Sequence, residues 1–243
     1  MIAPTDPRPL RGCPIAVLDF ETTSVDAWTC EPVQVAIVHA DLGDSEPRVA
    51  FQSLIRPPCL IPEEATAIHG ITDAAVCDAP SMAEALPDLL AALESRALVA
   101  FNLPYDWRIL SRFADVPFGS LCGYVLARAI DKYERGKRLV DVASRRGLDF
   151  SAHDAGGDAL VTARLLPLLL RELGRGKERT DRYGRVRRDG PWCLPEDLRS
   201  VSALWDWTCT AGVEQEADLA AYLATQGKSM DSMPWHELTA ATP

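Results

Sequence analysis

Ile15 to Phe20 is apolar on both of its faces, and that single run restricts the fold more than any other part of the chain. A strand alternates its side chains between two faces, so a run without alternation must be covered above and below. The chain is therefore expected to be a layered α/β structure with this strand near the middle of its sheet. Val33 to Ala40 and Arg48 to Ile55 are further strands, and the turn residues Asp41, Gly43, Asp44 and Pro47 between them predict a hairpin. A proline-rich loop at Pro57, Pro58 and Pro62 follows. Ser81 to Leu93 has helical spacing, with Ser81 as cap and Glu84 completing a capping box. Ala97 to Phe101 is a short strand, and helices are predicted at Pro104 to Phe113, Leu139 to Arg146 and Asp154 to Leu173. Strands first, then strands alternating with helices, give a central mixed β-sheet flanked by helices.

The length of 243 residues suits one core of ordinary domain size plus an appendage. The most apolar stretch, Ala159 to Leu170, contains Arg164 and falls well short of the ~20 residues a membrane span needs, so no membrane association is expected. Residues 1–11 carry no apolar run and are read as a flexible arm rather than a secretory signal. The seven cysteines include no C-x-x-C pair, which argues against a disulfide framework or zinc knuckle. They are expected to be small buried hydrophobes in a reducing cytoplasm. The net charge of −10 argues against a strong nonspecific nucleic-acid binder but not against an enzyme that grips a short strand end. From Arg171 to Gly190, eight basic residues face four acidic ones without apolar periodicity, so residues 174–191 are read as a basic linker. Residues 192–243 hold four of the six tryptophans and two short helical patterns, Glu196 to Trp205 and Val213 to Thr225. They are expected to form a small, mostly helical C-terminal extension after a core at residues 12–173.

Three groups of residues carry chemistry. Asp19 and Glu21 lie two apart at the end of the buried strand, so both project from one face. Two carboxylates ~5 Å apart repel by about 3 kcal/mol at an effective dielectric of 20, which calls for a cation or a retained proton. Asp106 follows Asn102 and Pro104 at a helix start and shares the core-facing stripe with Ile109, Leu110 and Phe113. A carboxylate on that stripe needs a partner. His153-Asp154-Ala155-Gly156-Gly157-Asp158 opens the last long core helix, with Asp154 as its cap and Asp158 one turn in. Two glycines there cost about 1 kcal/mol each relative to alanine, so a close approach by another backbone or a ligand is expected. His153 can serve as a general base. Taken together, four carboxylates with oxygen ligands call for hard divalent cations such as magnesium or manganese. Gly227-Lys228-Ser229 is not a phosphate loop, because Tyr222 stands where its first glycine is required.

The ordered set D-x-E, N-x-x-x-D and H-x-A-x-x-D resembles the three motifs of the DEDD superfamily of 3′–5′ exonucleases. Within it the chain is similar to the histidine-bearing (DEDDh, DnaQ-like) branch, which includes the proofreading epsilon subunit of bacterial DNA polymerase III and RNase T. Ala67-Ile68-His69-Gly70-Ile71-Thr72 also looks like that family's loop near the terminal nucleotide. The resemblance implies a ribonuclease-H-like fold and two-metal hydrolysis of 3′ ends of single-stranded DNA, with RNA trimming as the alternative. It implies two Mg²⁺ ions, with Mn²⁺ able to substitute, held by Asp19, Glu21, Asp106 and Asp158, and His153 as the base. Phe20, Thr22, Thr23, His69, Ile71 and Asn102 would meet the substrate, and the extension would meet a polymerase or another replication or repair protein. A non-catalytic binding module of the same fold would carry a damaged site, whereas all five site residues are present. Phe101, Gln34 and Cys122-Gly123 depart from residues common in the family at those places, namely histidine, glutamate and an aspartate-threonine pair.

Overall fold

The computed structural model describes residues 1, 6–42, 46–118, 121–132, 134–175, 178–180, 186–188, 200–226, 228 and 235. Strand β1 (Pro14–Thr22) is the middle strand of a five-stranded sheet, in the order β3-β2-β1-β4-β5. It pairs antiparallel with β2 (Pro32–Asp41), which in turn pairs antiparallel with β3 (Arg48–Leu54). On its other side β1 runs parallel to β4 (Ala97–Ala100), and β4 runs parallel to β5 (Leu121–Cys122). The mixed sheet flanked by helices is thus as expected.

Alternation along β1 divides the core in two. Ile15 and Val17 pack with Ala36, Val38 and Val99 against α7 (Ala155–Arg175) and α5 (Gly123–Ile130). Ala16, Leu18 and Phe20 pack with Val35 and Ile37 against α3 (Met82–Leu93) and α4 (Leu103–Ser111). Helix α3 starts at the foreseen capping box, in which Ser81 and Glu84 bond reciprocally. Two short helices in the proline-rich region, α1 (Glu63–His69) and α2 (Asp73–Val76), were not foreseen, nor was α5. Elements α1 and α2 cover a satellite cluster of Val33, Ile61, Ala65, Ile71 and Val76.

Past α6 (Leu139–Ser144), a buried ion network ties three helices together. Asp131, at the end of α5, is 0% exposed and bonds Arg145 at 2.9 Å and Arg146 at 3.0 Å. Arg146 also reaches Glu172 of α7 at 2.8 Å.

The ends of the chain depart from expectation. Residues 6–9 are held rather than loose: Pro9 bridges Ser200, Arg8 O accepts from Val201 N–H, and Asp6 O accepts from Ser202 N–H. The two short helices expected after the linker are one helix, α8 (Val201–Thr225). The middle of α8 has poor helix formers, but packing overrides propensity. Trp205 joins Phe118, Trp107 and Trp235 in an edge-on aromatic cluster with centroids 5.0–5.6 Å from Phe118. At Gly212 any Cβ would collide with the ring of Trp235. The basic linker includes a short antiparallel pair, β6 (Glu178–Thr180) and β7 (Val186–Arg188), and the rest of it beyond Arg175 lies outside the described residues. The helix start at Glu196 and most of the chain after Gln226 also lie outside them. Among the described cysteines none is bonded, and Cys59 and Cys77 are exposed rather than buried.

Removing Asp131 leaves Arg146 buried without its main counter-charge, so Asp131→Ala should lower unfolding free energy by about 3–5 kcal/mol in chemical denaturation. A loss under about 1 kcal/mol would show that the network contributes little.

Candidate active site

Parallel pairing brings the carboxyl ends of β1 and β4 to one edge of the sheet. Asp19 and Glu21 continue the odd-numbered face of β1, on the side covered by α7, where Asp158 sits one turn into the helix. The chain leaves β4 at the same edge and enters α4, whose first turns hold Asn102 and Asp106. The three motifs thus lie close enough for their acids to repel one another.

Glu21 is 8% exposed and Asp106 4% exposed. Glu21, His153 and Asp158 offer ligand atoms within 4.8 Å of one another, a cluster able to hold a metal ion. Burial raises Asp19 well above the usual carboxylate range, and Asp106, Asp158, Glu21 and Asp154 add repulsion in that order. Burial also raises Asp106 well above that range, against the pull of the Phe20 N–H, with Glu21 and Asp158 adding to the rise. Glu21 is pushed to about 7 by burial and then by Asp158 and Asp154. Asp158 is pushed to about 6 by burial, although the His153 N–H and the His153 ring oppose the shift.

Asp158 accepts the His153 N–H at 3.3 Å through Oδ2, while its buried Oδ1 has no hydrogen-bond partner among the described residues. A buried carboxylate oxygen left open, among acids that repel one another, fits a divalent cation, as it does a retained proton. His153 is exposed and holds a left-handed backbone with φ of 71°, uncommon for a residue with a side chain. Of the two glycines, Gly156 alone is approached closely, and by the Gln52 side chain rather than by the backbone or ligand expected; Gly157 makes only ordinary contacts.

Beside Glu21 opens a cleft of about 630 Å³. Phe20, Thr22, Thr23, His69 and Asn102, five of the six residues expected at the substrate, line it. Ile71 does not. Its side chain fills the satellite cluster, because α1 and α2 need an apolar residue there, and only its N–H serves the cleft by bonding His69 Nδ1 at 3.0 Å. Ile68, from the loop expected near the terminal nucleotide, also lines the cleft, as do Val25 and Tyr105, which were not expected there. The Tyr105 hydroxyl lies 2.7 Å from Thr22 Oγ1 and 2.8 Å from Ser24 O, tying the loop after β1 to α4. Its place next to Asp106 in the second motif was the available signal.

With this geometry the relatives can be read. The exonuclease family model matches residues 16–166. A DNA polymerase III subunit epsilon-like protein of Rhodobacter capsulatus is 32% identical over 199 residues, covering 74% of this chain and 28% of that protein. The DNA polymerase III subunit epsilon of Aquifex aeolicus is 27% identical over 164 residues, covering 65% of this chain and 80% of its own. Among solved structures, exonuclease X in complex with 5′-overhanging duplex DNA matches with a TM-score of 0.51 and 26% identity, over 65% of this chain and 91% of that one. Cell-death related nuclease 4 shares the fold, with a TM-score of 0.55, 20% identity, and coverage of 68% of this chain and 66% of that one. The chain belongs to the exonuclease family. It spans well under a third of the Rhodobacter relative and most of the Aquifex one.

The raised carboxylates set a pH dependence. A group that holds its proton more tightly when folded stabilises the fold at low pH, and that stability is lost as pH rises through the folded value. For Glu21 the window runs from 4.5 to about 7. The thermal midpoint of chelator-treated protein should therefore fall across this range, and Glu21→Gln should flatten the fall. Added Mg²⁺ or Mn²⁺ should raise the midpoint more at the upper end than at the lower, since only ionised carboxylates ligate. A profile indifferent to both changes would refute this electrostatic account.

Proposed function

We propose that the chain is a metal-dependent 3′–5′ exonuclease that releases nucleoside monophosphates from single-stranded DNA ends, in proofreading or repair. What supports this reading is the nearness of carboxylates from three separate elements: Glu21 and Asp158 share a cluster with His153, and Asp19 and Asp106 are raised by each other or by those same acids. Those four carboxylates would hold two Mg²⁺ ions, or Mn²⁺ in their place. When bound, such ions neutralise the scissile phosphate and stabilise the charge that develops on the attacking and leaving oxygens.

The chain's own residues supply the rest. His153, exposed beside Glu21 and Asp158, takes the proton of the attacking water. Thr22, Thr23 and Asn102 offer hydrogen bonds to the terminal nucleotide within the cleft. Asn102 occupies the cap position of α4 yet makes no side-chain cap bond, which leaves its amide to the substrate. Val25 and Ile68, 89% and 56% exposed at the cleft, supply apolar surface against a base. The cleft is open enough to admit an unpaired end, and a strand end makes too few phosphate contacts to require a basic protein.

DNA is favoured because the epsilon proteins and exonuclease X are the relatives of highest identity named above. A replication or repair partner at the extension would meet the outer face of α8, since Trp205 and Trp235 are committed to the core. No helix among the described residues is long and apolar enough to cross a membrane, and the cytoplasm remains the compartment proposed.

Asp19→Ala and His153→Ala should each slow digestion of an end-labelled single strand by roughly 100-fold or more, and chelation should abolish it. Wild-type rates in either variant would overturn the assignment of the site. Matched DNA and RNA strands run side by side should show faster loss of DNA, and the reverse order would make the chain an RNA trimmer.

A further inference from the structure

Gln34 stands opposite Glu21 in the β1–β2 register and is buried. Both ends of its amide are used. Oε1 accepts from Ala155 N–H at 3.0 Å, and Nε2 donates to Asp154 Oδ1 at 3.0 Å. A backbone N–H can only donate and an ionised carboxylate can only accept, so this amide has one allowed orientation. From β3, Gln52 donates to the same Asp154 oxygen at 3.2 Å. The other oxygen of Asp154 caps α7 by accepting Gly157 N–H at 2.9 Å. Asp158 N–H completes the turn by bonding Asp154 O at 2.8 Å.

We propose that Gln34, Gln52 and Asp154 are positioning residues, a latch that holds the first turn of α7 on the sheet and so sets His153 and Asp158 against Glu21. The proposal rests on the exonuclease reading above. Its logic lies in sign and polarity. Asp154 places a fifth negative charge beside Asp19, Glu21 and Asp158. A carboxylate at position 34 would add a sixth and would meet Asp154 acceptor to acceptor. Glutamine converts the same contact into a donor–acceptor pair without charge. It also leaves an oxygen for Ala155 N–H, which has entered the core and needs an acceptor. His153 directly precedes this latched turn, and its left-handed backbone persists only where its surroundings fix it.

Polarity reversal tests the latch. Gln34→Glu opposes two acceptors. Asp154→Asn, with its oxygen kept on Gly157 N–H, opposes two amide donors. Each single variant should lower kcat about 10- to 100-fold on a labelled single strand with KM within about twofold, as loss of a group that orients the site does. The combined variant restores one donor facing one acceptor, and kcat should return to within about threefold of wild type, the outcome expected of a coupled pair. Amide exchange supplies a readout free of catalysis: Ala155 and Gly157 should exchange at least about tenfold faster in each single variant and recover in the double. Gln52→Ala, at an exposed position, should cost kcat with no change in thermal midpoint, which keeps the test open if a buried variant unfolds. Wild-type kcat and exchange in the folded variants, or a double variant no better than its worse parent, would overturn the latch. If the wild-type chain itself digests no strand with Mg²⁺ or Mn²⁺, the exonuclease reading falls, while amide exchange still decides whether the latch exists.

Discussion

Repulsion among carboxylates is the constraint around which this fold is organised. Asp19, Glu21, Asp106 and Asp158 come from β1, α4 and α7, and each is held where burial disfavours its charge. A protein shaped only for stability would separate them, because each ionised neighbour in a low-dielectric pocket costs free energy that packing must offset. That packing is visible on both faces of β1, where two apolar clusters fix the strand and, with it, the direction of the two acids at its end. The site is thus a strained place on a rigid frame, which suits a group that must accept cations without rearranging.

Much of this was legible in the chain before any coordinates. A run apolar on both faces cannot be an edge strand, so β1 had to be central, and acids at its end had to point together. Asp106 could be singled out because a carboxylate on an apolar helical stripe needs a partner, and it is indeed buried. Short elements were not legible. Helix α2 has four residues and α1 seven, too few for periodicity to emerge, and what fixes them is the satellite cluster that also takes Ile71 away from the cleft. The single helix α8 was missed for a different reason. Its middle contains poor helix formers, and their cost is offset by tertiary contacts with Phe118 and Trp235 that no local window reveals.

Gln34 shows how a departure from a pattern becomes interpretable only in three dimensions. In the sequence it was a glutamine where glutamate is common, with no consequence attached. In the fold it faces Asp154, 120 positions away, and the two differ in the one property that matters between close groups, the ability to donate. The residue at 34 and the residue at 154 have to be read as a pair.

The family match closes at residue 166, within α7. Yet Val201 and Leu204 belong to the cluster beneath β1 and α7, while Trp205, Ala211 and Trp235 belong to the cluster on the other face. Residues 6–9 are hydrogen-bonded to the start of α8 and so to the same unit. Trp205 and Trp235 both pack edge-on against Phe118, and Phe118 packs in the same way against Trp107 of α4, so the extension joins the apolar cluster that covers the helix carrying Asp106.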